Sequence, residues 1–328
     1  MKKTFLYFCL LFIVQTAFAA DSLYVREQQI PILIDRIDNV LYEMRIPAQK
    51  GDVLNEITIQ IGDNVDLSDI QAIRLFYSGV EAPSRKGEHF SPVTYISSHI
   101  PGNTRKALES YSVRQDEVTA PLSRTVKLTS KQPMLKGINY FWVSIQMKPE
   151  TSLLAKVATT IPNAQINNKP IDITWKGKVD ERHVGIGVRQ AGDDGSAAFR
   201  IPGLVTTNNG TLLGVYDIRY NSSVDLQEKI DIGVSRSTDK GQTWEPMRVA
   251  MTFKQTDGLP HGQNGVGDPS ILVDEKTNTI WVVAAWTHGM GNERAWWNSM
   301  PGMTPDETAQ LMLVKSEDDG KTWSEPIK

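Results

Sequence analysis

The sequence predicts an all-β protein made of two successive β domains. Apolar residues recur with period two in short runs, such as residues 57–61 and 140–145, which is typical of half-buried strands. Glycine, asparagine and aspartate separate these runs and mark turns. An eight-residue hairpin motif occurs twice in the second half of the chain, and no helical stripe of comparable length is present.

The composition indicates a globular chain without a polyanionic partner. The 328 residues are 40% hydrophobic and 22% charged, with a net charge of -3. A near-neutral chain lacks the basic field that holds nucleic acid, so no nucleic-acid partner is predicted. The five histidines, which are scattered without paired spacing, predict neither a metal site nor a cofactor; they are His89, His99, His183, His261 and His288.

Residues 1–19 are predicted to be a signal peptide. Two lysines precede an apolar stretch over residues 5–14, and Ala17-Phe18-Ala19 has the small-x-small pattern of a cleavage site. The apolar stretch is too short for a permanent membrane span. Cys9, the one cysteine of the sequence, lies in this stretch, so disulfides and thiol chemistry are not expected after cleavage. We expect an exported protein, periplasmic or secreted.

Residues 20–178 are expected to form a β-sandwich. Short strands fit residues 57–61, 72–77 and 140–145, and two sheets can bury one face of each against the other. Such a domain could be a spacer or could bind carbohydrate. A charged and glycine-rich stretch from residue 175 to residue 195 marks the domain boundary.

Residues 179–328 form the second predicted domain, in which strands alternate with polar hairpins. The motif S-x-D-x-G-x-T-W follows a strand at residues 237–244 and again at residues 316–323. Its aspartate can accept bonds from backbone N–H groups, its glycine supplies a positive φ, and its tryptophan can pack between sheets. The predicted structural residues are therefore Ser237, Asp239, Gly241, Trp244, Ser316, Asp318, Gly320 and Trp323.

These two motifs resemble the Asp boxes (BNR repeats) of bacterial exo-α-sialidases (neuraminidases) of glycoside hydrolase family 33 and of related β-propellers. The resemblance implies a β-sandwich followed by the first blades of a six-bladed β-propeller. Residues 179–328 suffice for two to three blades of four strands. We therefore expect the chain to be the N-terminal portion of a longer enzyme. Asp boxes alone do not imply catalysis.

The segment Phe199-Arg200-Ile201-Pro202 resembles the sialidase F/Y-R-I-P motif. In that family the arginine is one of three that clamp the substrate carboxylate, and Arg200 matches it. A guanidinium fork suits this role because it can donate two parallel hydrogen bonds to a carboxylate. The alternative is an arginine that pairs with a local acid.

The segment from Tyr216 to Asp225 resembles the family stretch with a second binding arginine and, six residues later, the acid/base aspartate. The resemblance assigns these roles to Arg219 and Asp225. An aspartate on a loop beside the scissile bond can protonate the leaving oxygen. Asp217 and Asp231 compete for the role of the acid, but a structural hydrogen bond is expected at both.

Two further features bear on the substrate. The stretch Gly267-Asp268-Pro269-Ser270 is similar to a family segment whose aspartate contacts the sugar, so Asp268 is a candidate ligand; a turn-forming aspartate before proline is the alternative. Apolar residues of the following insertion could wall a pocket for an acetyl or glycerol group, or could fill the core; they are Met290, Trp296, Trp297 and Met303.

The resemblance implies retaining hydrolysis of terminal sialic acid from glycoproteins, glycolipids and oligosaccharides. The family's tyrosine nucleophile, its glutamate and two further arginines match no segment of this chain, so we expect the chain alone to be inactive. A non-catalytic Asp-box lectin or adhesin and a trans-sialidase stay open as alternatives.

Overall fold

The computed structural model describes residues 22–27, 29–80, 112–177, 180–289 and 295–328. The predicted signal peptide and Met290 lie outside these residues. The described chain is all-β, as predicted, and its helical elements are single turns. These turns are Leu67–Asp69, Asp193–Gly195, His261–Gln263 and Ala295–Asn298.

The N-terminal half of the chain forms a β-sandwich. Its strands are β1 (Ser22–Glu27), β2 (Ile32–Leu33), β3 (Asn39–Ala48), β4 (Leu54–Ile61), β5 (Ile70–Gly79), β6 (Val113–Thr119), β7 (Thr125–Thr129), β8 (Gly137–Met147), β9 (Lys156–Val157), β10 (Thr159–Ile166), β11 (Lys169–Pro170), β12 (Asp172–Lys176) and β13 (Arg182–Gly185). The runs at residues 57–61, 72–77 and 140–145 lie in β4, β5 and β8, as predicted.

Two sheets build the sandwich. One has six strands in the order β12-β1-β3-β8-β5-β6, and the other has four in the order β11-β10-β4-β7. Residues of both sheets, such as Phe141 and Ile57, are completely buried in one shared apolar core. In a strand that alternates with period two, such as β7, one row of side chains is directed into this core, whereas the central strands β3 and β8 have consecutive runs of buried residues.

A small third sheet adjoins the sandwich. Strand β13 pairs in parallel with β2, with Val184 opposite Ile32, and antiparallel with β9. The main chain of Ile34 donates to the carbonyl of Gly185 at 3.0 Å. Strand β13 is thus hydrogen-bonded to strands that precede residue 178, while the position of the domain boundary stays a prediction.

The C-terminal half forms two propeller blades. The first has the strand order β14-β15-β16-β17, and the second has the order β18-β19-β20 within the described residues. Their bounds are β14 (Ala198–Thr206), β15 (Leu212–Arg219), β16 (Ile230–Ser237), β17 (Arg248–Met251), β18 (Val266–Asp274), β19 (Thr279–Trp286) and β20 (Gln310–Ser316). Consecutive strands are antiparallel throughout both blades.

The two blades pack face to face through an apolar core. Leu213, Val215 and Val234 of the first blade lie in the same buried cluster as Val266 and Val282 of the second. This packing aligns the blades so that β14 and β18, the first strand of each, have corresponding positions. The candidate site lies at the start of these two strands.

Candidate functional site

The first strand of each blade has the same irregularity. In β14 the register shifts between Arg200 and Gly203, and in β18 it shifts between Gly267 and Ser270. In both bulges a non-glycine residue with positive φ precedes a proline: Ile201 at 53° and Asp268 at 56°. Such a bulge redirects the side chains beside it, and the left-handed conformation is costly enough that neighbouring contacts must hold it.

Arg200 and Arg219 converge on the carboxylate of Asp225. Arg200 lies directly opposite Asp217 in the β14–β15 pairing, and Arg219 is two residues further along β15 on the same face. The Nη1 atoms of Arg200 and Arg219 donate to Asp225 Oδ1 at 2.8 and 2.7 Å. Both Nη1 atoms also donate to the carbonyl of Ser223, at 3.1 and 3.0 Å. The structure therefore brings three of the predicted site residues together.

The two arginines differ in exposure. The side chain of Arg200 is 42% exposed and that of Asp225 is 36% exposed, whereas that of Arg219 is only 1% exposed. The local acid that the alternative interpretation of Arg200 required is thus present, and it is Asp225 itself. A ligand from solvent can reach Arg200 and Asp225 most easily.

The loop that carries Asp225 is fixed on its C-terminal side. Leu226 packs with Ile230 and Ala295 in a small buried cluster, and the main chain of Ala295 donates to the carbonyl of Leu226 at 3.0 Å. Gln227 is buried and accepts a hydrogen bond from the hydroxyl of Thr287. Asp225 therefore lies directly after the exposed part of this loop and directly before its anchored part.

Asp217 links the two blades at the site. One oxygen, Oδ2, accepts from Nε and Nη2 of Arg219 at 3.0 and 2.7 Å. The other, Oδ1, accepts from the main-chain N–H of Asp268 at 2.9 Å. Asp217 is completely buried. Burial raises its pKa to about 6, although the hydrogen bonds and charge of Arg219 oppose this shift.

Asp268 is placed by its backbone. Its side chain lies in an exposed position on the bulge of β18, while its N–H is directed at Asp217. A Cβ on the preceding residue, Gly267, would lie 3.4 Å from both carboxylate oxygens of Asp217, so the main chain of β18 packs directly against that carboxylate. Asp268 thus belongs to the same hydrogen-bonded group as Arg219, through Asp217.

The competing acids have structural partners. Asp217 is enclosed as described, and Asp231 accepts from the hydroxyl of Tyr220 at 3.0 Å and lies 2.8 Å from Nε2 of His261. Asp231 is 3% exposed. Burial and the nearby charge of Asp231 raise the pKa of Tyr220. Among the three aspartates considered as the acid, Asp225 is the one with an exposed side chain.

The apolar residues of the insertion are not core residues where they can be described. Trp297 and Met303 are 65% and 83% exposed, so core filling does not explain them. The side chain of Trp296 and all of Met290 lie outside the described residues. The pocket that these residues were expected to wall stays a prediction.

The two Asp boxes share one hydrogen-bond pattern. In the first, Asp239 accepts from the N–H and hydroxyl of Thr243 at 2.9 and 2.6 Å, and these bonds lower its pKa to about 2. In the second, Asp318 accepts from Thr322 at the same two distances. Gly241 and Gly320 have φ values of 88° and 79°. The boxes follow the third strand of each blade, at the opposite end of the strands from Arg200.

Within the described ranges, no group of three or more histidine, aspartate or glutamate side chains could hold a metal ion. In the same ranges, no helix has the length and apolar character needed to cross a membrane. His261 and His288 each have a local partner, namely Asp231 and Asn264.

Comparison with known proteins identifies the family. Residues 20–170 match the N-terminal domain of BNR-repeat neuraminidase, and residues 201–328 match a BNR repeat-like domain. A sialidase of Bacteroides fragilis (strain YCH46) is 57% identical over 333 residues, which cover 100% of this chain and 61% of that protein. The chain belongs to the BNR-repeat sialidase family.

Other sialidases support this family membership. A sialidase of Paraclostridium sordellii is 36% identical over 129 residues, which cover 39% of this chain and 29% of that protein. A solved structure, Hadza microbial sialidase Hz136, has a TM-score of 0.78 and 61% identity and covers 93% of this chain and 59% of its own. The chain therefore spans about three fifths of the length of the Bacteroides fragilis sialidase and of Hadza microbial sialidase Hz136.

The hydrogen-bonded role of Asp217 could not be derived from spacing alone. Residues 217 and 219 lie two apart on a strand, which predicts side chains on one face and permits an Asp–Arg pair. The bond to the Asp268 main chain joins residues 51 positions apart and depends on the bulge in β18. Local pattern carries no signal for such a contact.

Proposed function

We propose that the protein carrying this chain is an exo-sialidase, a glycoside hydrolase that removes terminal sialic acid from glycans with retention of configuration. One observation carries the proposal: two guanidinium groups from adjacent strands donate to a single carboxylate oxygen, Asp225 Oδ1, at 2.8 and 2.7 Å. Arg200, which donates to a carboxylate beside a second arginine, has the charge and the donor geometry to bind the carboxylate of a substrate. The sialidase relatives support the same conclusion.

The substrate chemistry fits this arrangement. Sialic acid has its carboxylate on the anomeric carbon, next to the bond that is cleaved. A guanidinium that binds this carboxylate therefore also places the scissile bond beside Asp225. Arg200 is the more exposed of the two arginines, so we assign it to the carboxylate; Arg219 and Asp268 are assigned to other polar groups of the sugar.

Asp225 is assigned the role of acid and base. Two guanidinium groups favour the charged form of a carboxylate, so Asp225 must leave them before it can carry a proton. Entry of the sugar, whose carboxylate takes Arg200 and whose other polar groups take Arg219, displaces Asp225 from both guanidinium groups, and the released carboxylate takes up a proton from solvent. Protonated Asp225 then donates its proton to the glycosidic oxygen as the C–O bond breaks, and its carboxylate later takes a proton from the water that attacks the anomeric carbon.

The nucleophile is assigned by the resemblance alone, as a tyrosine with a glutamate base, and no residue of this chain receives those roles. A neutral tyrosine suits a substrate whose own carboxylate would repel an anionic nucleophile. Cleavage in two steps, through a covalent sugar–tyrosine intermediate, retains the configuration.

Export is part of the proposal, because the substrates are glycans of glycoproteins, glycolipids and oligosaccharides outside the cell. The predicted cleavage after Ala19 supports it. N-terminal sequencing of the protein recovered from periplasm or medium should begin at Ala20. Recovery of the uncleaved chain from the cytoplasm would contradict this part of the proposal.

The test uses the full-length protein with a fluorogenic sialoside and with sialyllactose. We expect release of free sialic acid, and proton NMR of the first product should show the configuration of the substrate. Binding of sialoside without turnover would instead indicate a lectin. Transfer of sialic acid to added lactose, in preference to water, would indicate a trans-sialidase.

A further inference from the structure

We propose that Asp217 is a positioning residue that fixes the Arg219 guanidinium and the Asp268 main chain in one arrangement, so that both face the same sugar. This inference rests on the proposed function. The buried carboxylate of Asp217 takes no part in the proton transfers and does not contact the substrate, so its role would be to orient the residues that do.

The hydrogen bonds of Asp217 determine how Arg219 is oriented. Oδ2 of Asp217 takes the Nε and Nη2 edge of the guanidinium at 3.0 and 2.7 Å. With that edge held, Nη1 is the nitrogen directed towards Asp225 and Ser223. Because both side chains are 1% exposed, water does not compete for these bonds. Arg219 therefore cannot rotate without leaving a buried charge without its partner.

The second oxygen of Asp217 acts on the neighbouring blade. Oδ1 accepts from the N–H of Asp268 at 2.9 Å, at a residue whose φ is 56° and which precedes a proline. This conformation is costly and needs an external contact to hold it. The bond fixes the bulge of β18, and the bulge determines where the exposed Asp268 carboxylate lies.

A role in folding alone explains the arrangement less well. A buried ion pair contributes little net stability compared with apolar side chains of similar volume. Here the two oxygens of Asp217 accept hydrogen bonds from Arg219 and from the N–H of Asp268. These two residues lie on different blades, and both are assigned to binding the substrate. The geometry is that of a shared support for the two ligands.

The test is a double-mutant cycle in the full-length protein, with kcat/KM on sialyllactose as the readout. We expect Asp217→Asn to lower kcat/KM about 100-fold, because the isosteric amide keeps the volume but not the charge that orients Arg219. In an Arg219→Ala background the same change should cost less than about 5-fold, because Arg219 is already absent and the side-chain oxygen of asparagine can still accept from the N–H of Asp268. Independent, multiplying effects would overturn the proposal.

The matched control is Asp319→Asn. Asp319 also pairs with a buried arginine, Arg236, at 3.0 Å, but it lies at the opposite end of the blades. Its substitution should lower the melting temperature yet leave kcat/KM within about 3-fold, and its effect should multiply with that of Arg219→Ala. If Asp319→Asn reduces kcat/KM as strongly as Asp217→Asn, the effect of Asp217 is one of stability and the proposal is wrong.

Two further measurements keep the outcomes distinct. If Asp217→Asn does not fold, the cycle is run with Asp217→Glu, which keeps the charge but moves the carboxylate; it should fold and still lose activity. A wild-type protein without sialidase activity would refute the proposed function. An active wild type with a multiplicative cycle would refute only the positioning role.

Discussion

The guanidinium of Arg200 contacts the carboxylate of Asp225, with Nη1 2.8 Å from Oδ1. The two residues are 25 positions apart: Arg200 lies on β14, and Asp225 lies in the loop between β15 and β16. If Arg200 binds the substrate carboxylate, then Asp225 occupies that position while the site is empty. Under the proposed function, Asp225 and the substrate carboxylate would compete for Arg200, so binding of the substrate would release Asp225 beside the scissile bond.

This competition predicts that a charge-neutral substitution of Asp225 strengthens the binding of a carboxylate. Asp225→Asn keeps the shape of the side chain but is a much weaker partner for two guanidinium groups. We expect the affinity for free sialic acid to increase about 10-fold, or by about 1.4 kcal/mol. Isothermal titration calorimetry measures it. Weaker binding by the variant would mean that Asp225 assists the carboxylate rather than competing with it.

Removal of Arg200 should abolish selection for the acid group. A charge-assisted hydrogen bond contributes about 1.5–3 kcal/mol, so Arg200→Ala should lower kcat/KM on a sialoside about 10- to 100-fold. The methyl ester of the same sialoside, which lacks the charge, should be a poor substrate for the wild type and lose little more with the variant. Equal losses on the acid and on the ester would argue against a carboxylate clamp. The control is Arg248→Ala, at a half-buried arginine of β17 that pairs with Glu245.

The role of Asp225 as acid predicts a dependence on the leaving group. General acid catalysis typically contributes about 10²- to 10⁴-fold when the leaving oxygen needs a proton. Asp225→Ala should therefore lose about 10³-fold in kcat on sialyllactose but much less on an aryl sialoside, whose phenolate leaves readily. Rates on both substrates test this. Similar losses on both would place Asp225 in binding or in a different step.

The outline of the fold was predictable because it depends on local pattern. Period-two alternation located the strand around residues 57–61, a short apolar run located the strand around residues 140–145, and the repeated hairpin motif located the turns after β16 and β20. The parallel pairing of β13 with β2 had no such signal. It joins segments about 150 residues apart, and a four-residue strand carries too little pattern to indicate its partner.

The site was predictable as a set of residues but not as a geometry. Motif resemblance selected Arg200, Arg219 and Asp225, which meet in the structure. It gave no indication that Asp225 itself contacts both arginines, because this contact depends on the conformation of the loop that carries Asp225. The structural role of Asp217 was anticipated in kind, yet its bond to the Asp268 main chain required the bulge in β18.

The contact between blades at the second Asp box predicts a stability effect without a catalytic one. Asp319 accepts from the hydroxyls of Thr207 and Thr211, each at 2.6 Å, and from Arg236 at 3.0 Å. These bonds lower its pKa against the effect of burial. Asp319→Ala leaves Arg236 buried without this partner and should destabilise the protein by about 3 kcal/mol. Urea unfolding measures the change.

The matched control for that experiment lies in the same hairpin. Glu317 is 67% exposed and pairs only with Lys315 among the bonds described for its side chain. Exposed ion pairs contribute about 0–1 kcal/mol, so Glu317→Ala should change the unfolding free energy by less than about 0.5 kcal/mol. A loss as large as that of Asp319→Ala would attribute the effect to the hairpin in general rather than to the contact between blades.

The raised pKa of Asp217, about 6, predicts how stability depends on pH. Arg219 and Asp268 are the charged groups that face this carboxylate, and burial outweighs the attraction to Arg219. A group whose folded pKa lies above its unfolded value near 3.8 stabilises the fold most below pH 3.8, and this contribution is lost as the pH rises through 6.

Asparagine at this position does not titrate, so the difference in stability between the wild type and Asp217→Asn isolates the effect of this one carboxyl group. We expect the stability of the wild type relative to this variant to fall by about 2 kcal/mol between pH 4 and pH 7.5. Urea unfolding of both proteins across this range provides the measurement. If the wild type instead gains stability relative to the variant as the pH rises, then the attraction of Arg219 exceeds the cost of burial and the pKa of Asp217 is depressed in the folded protein.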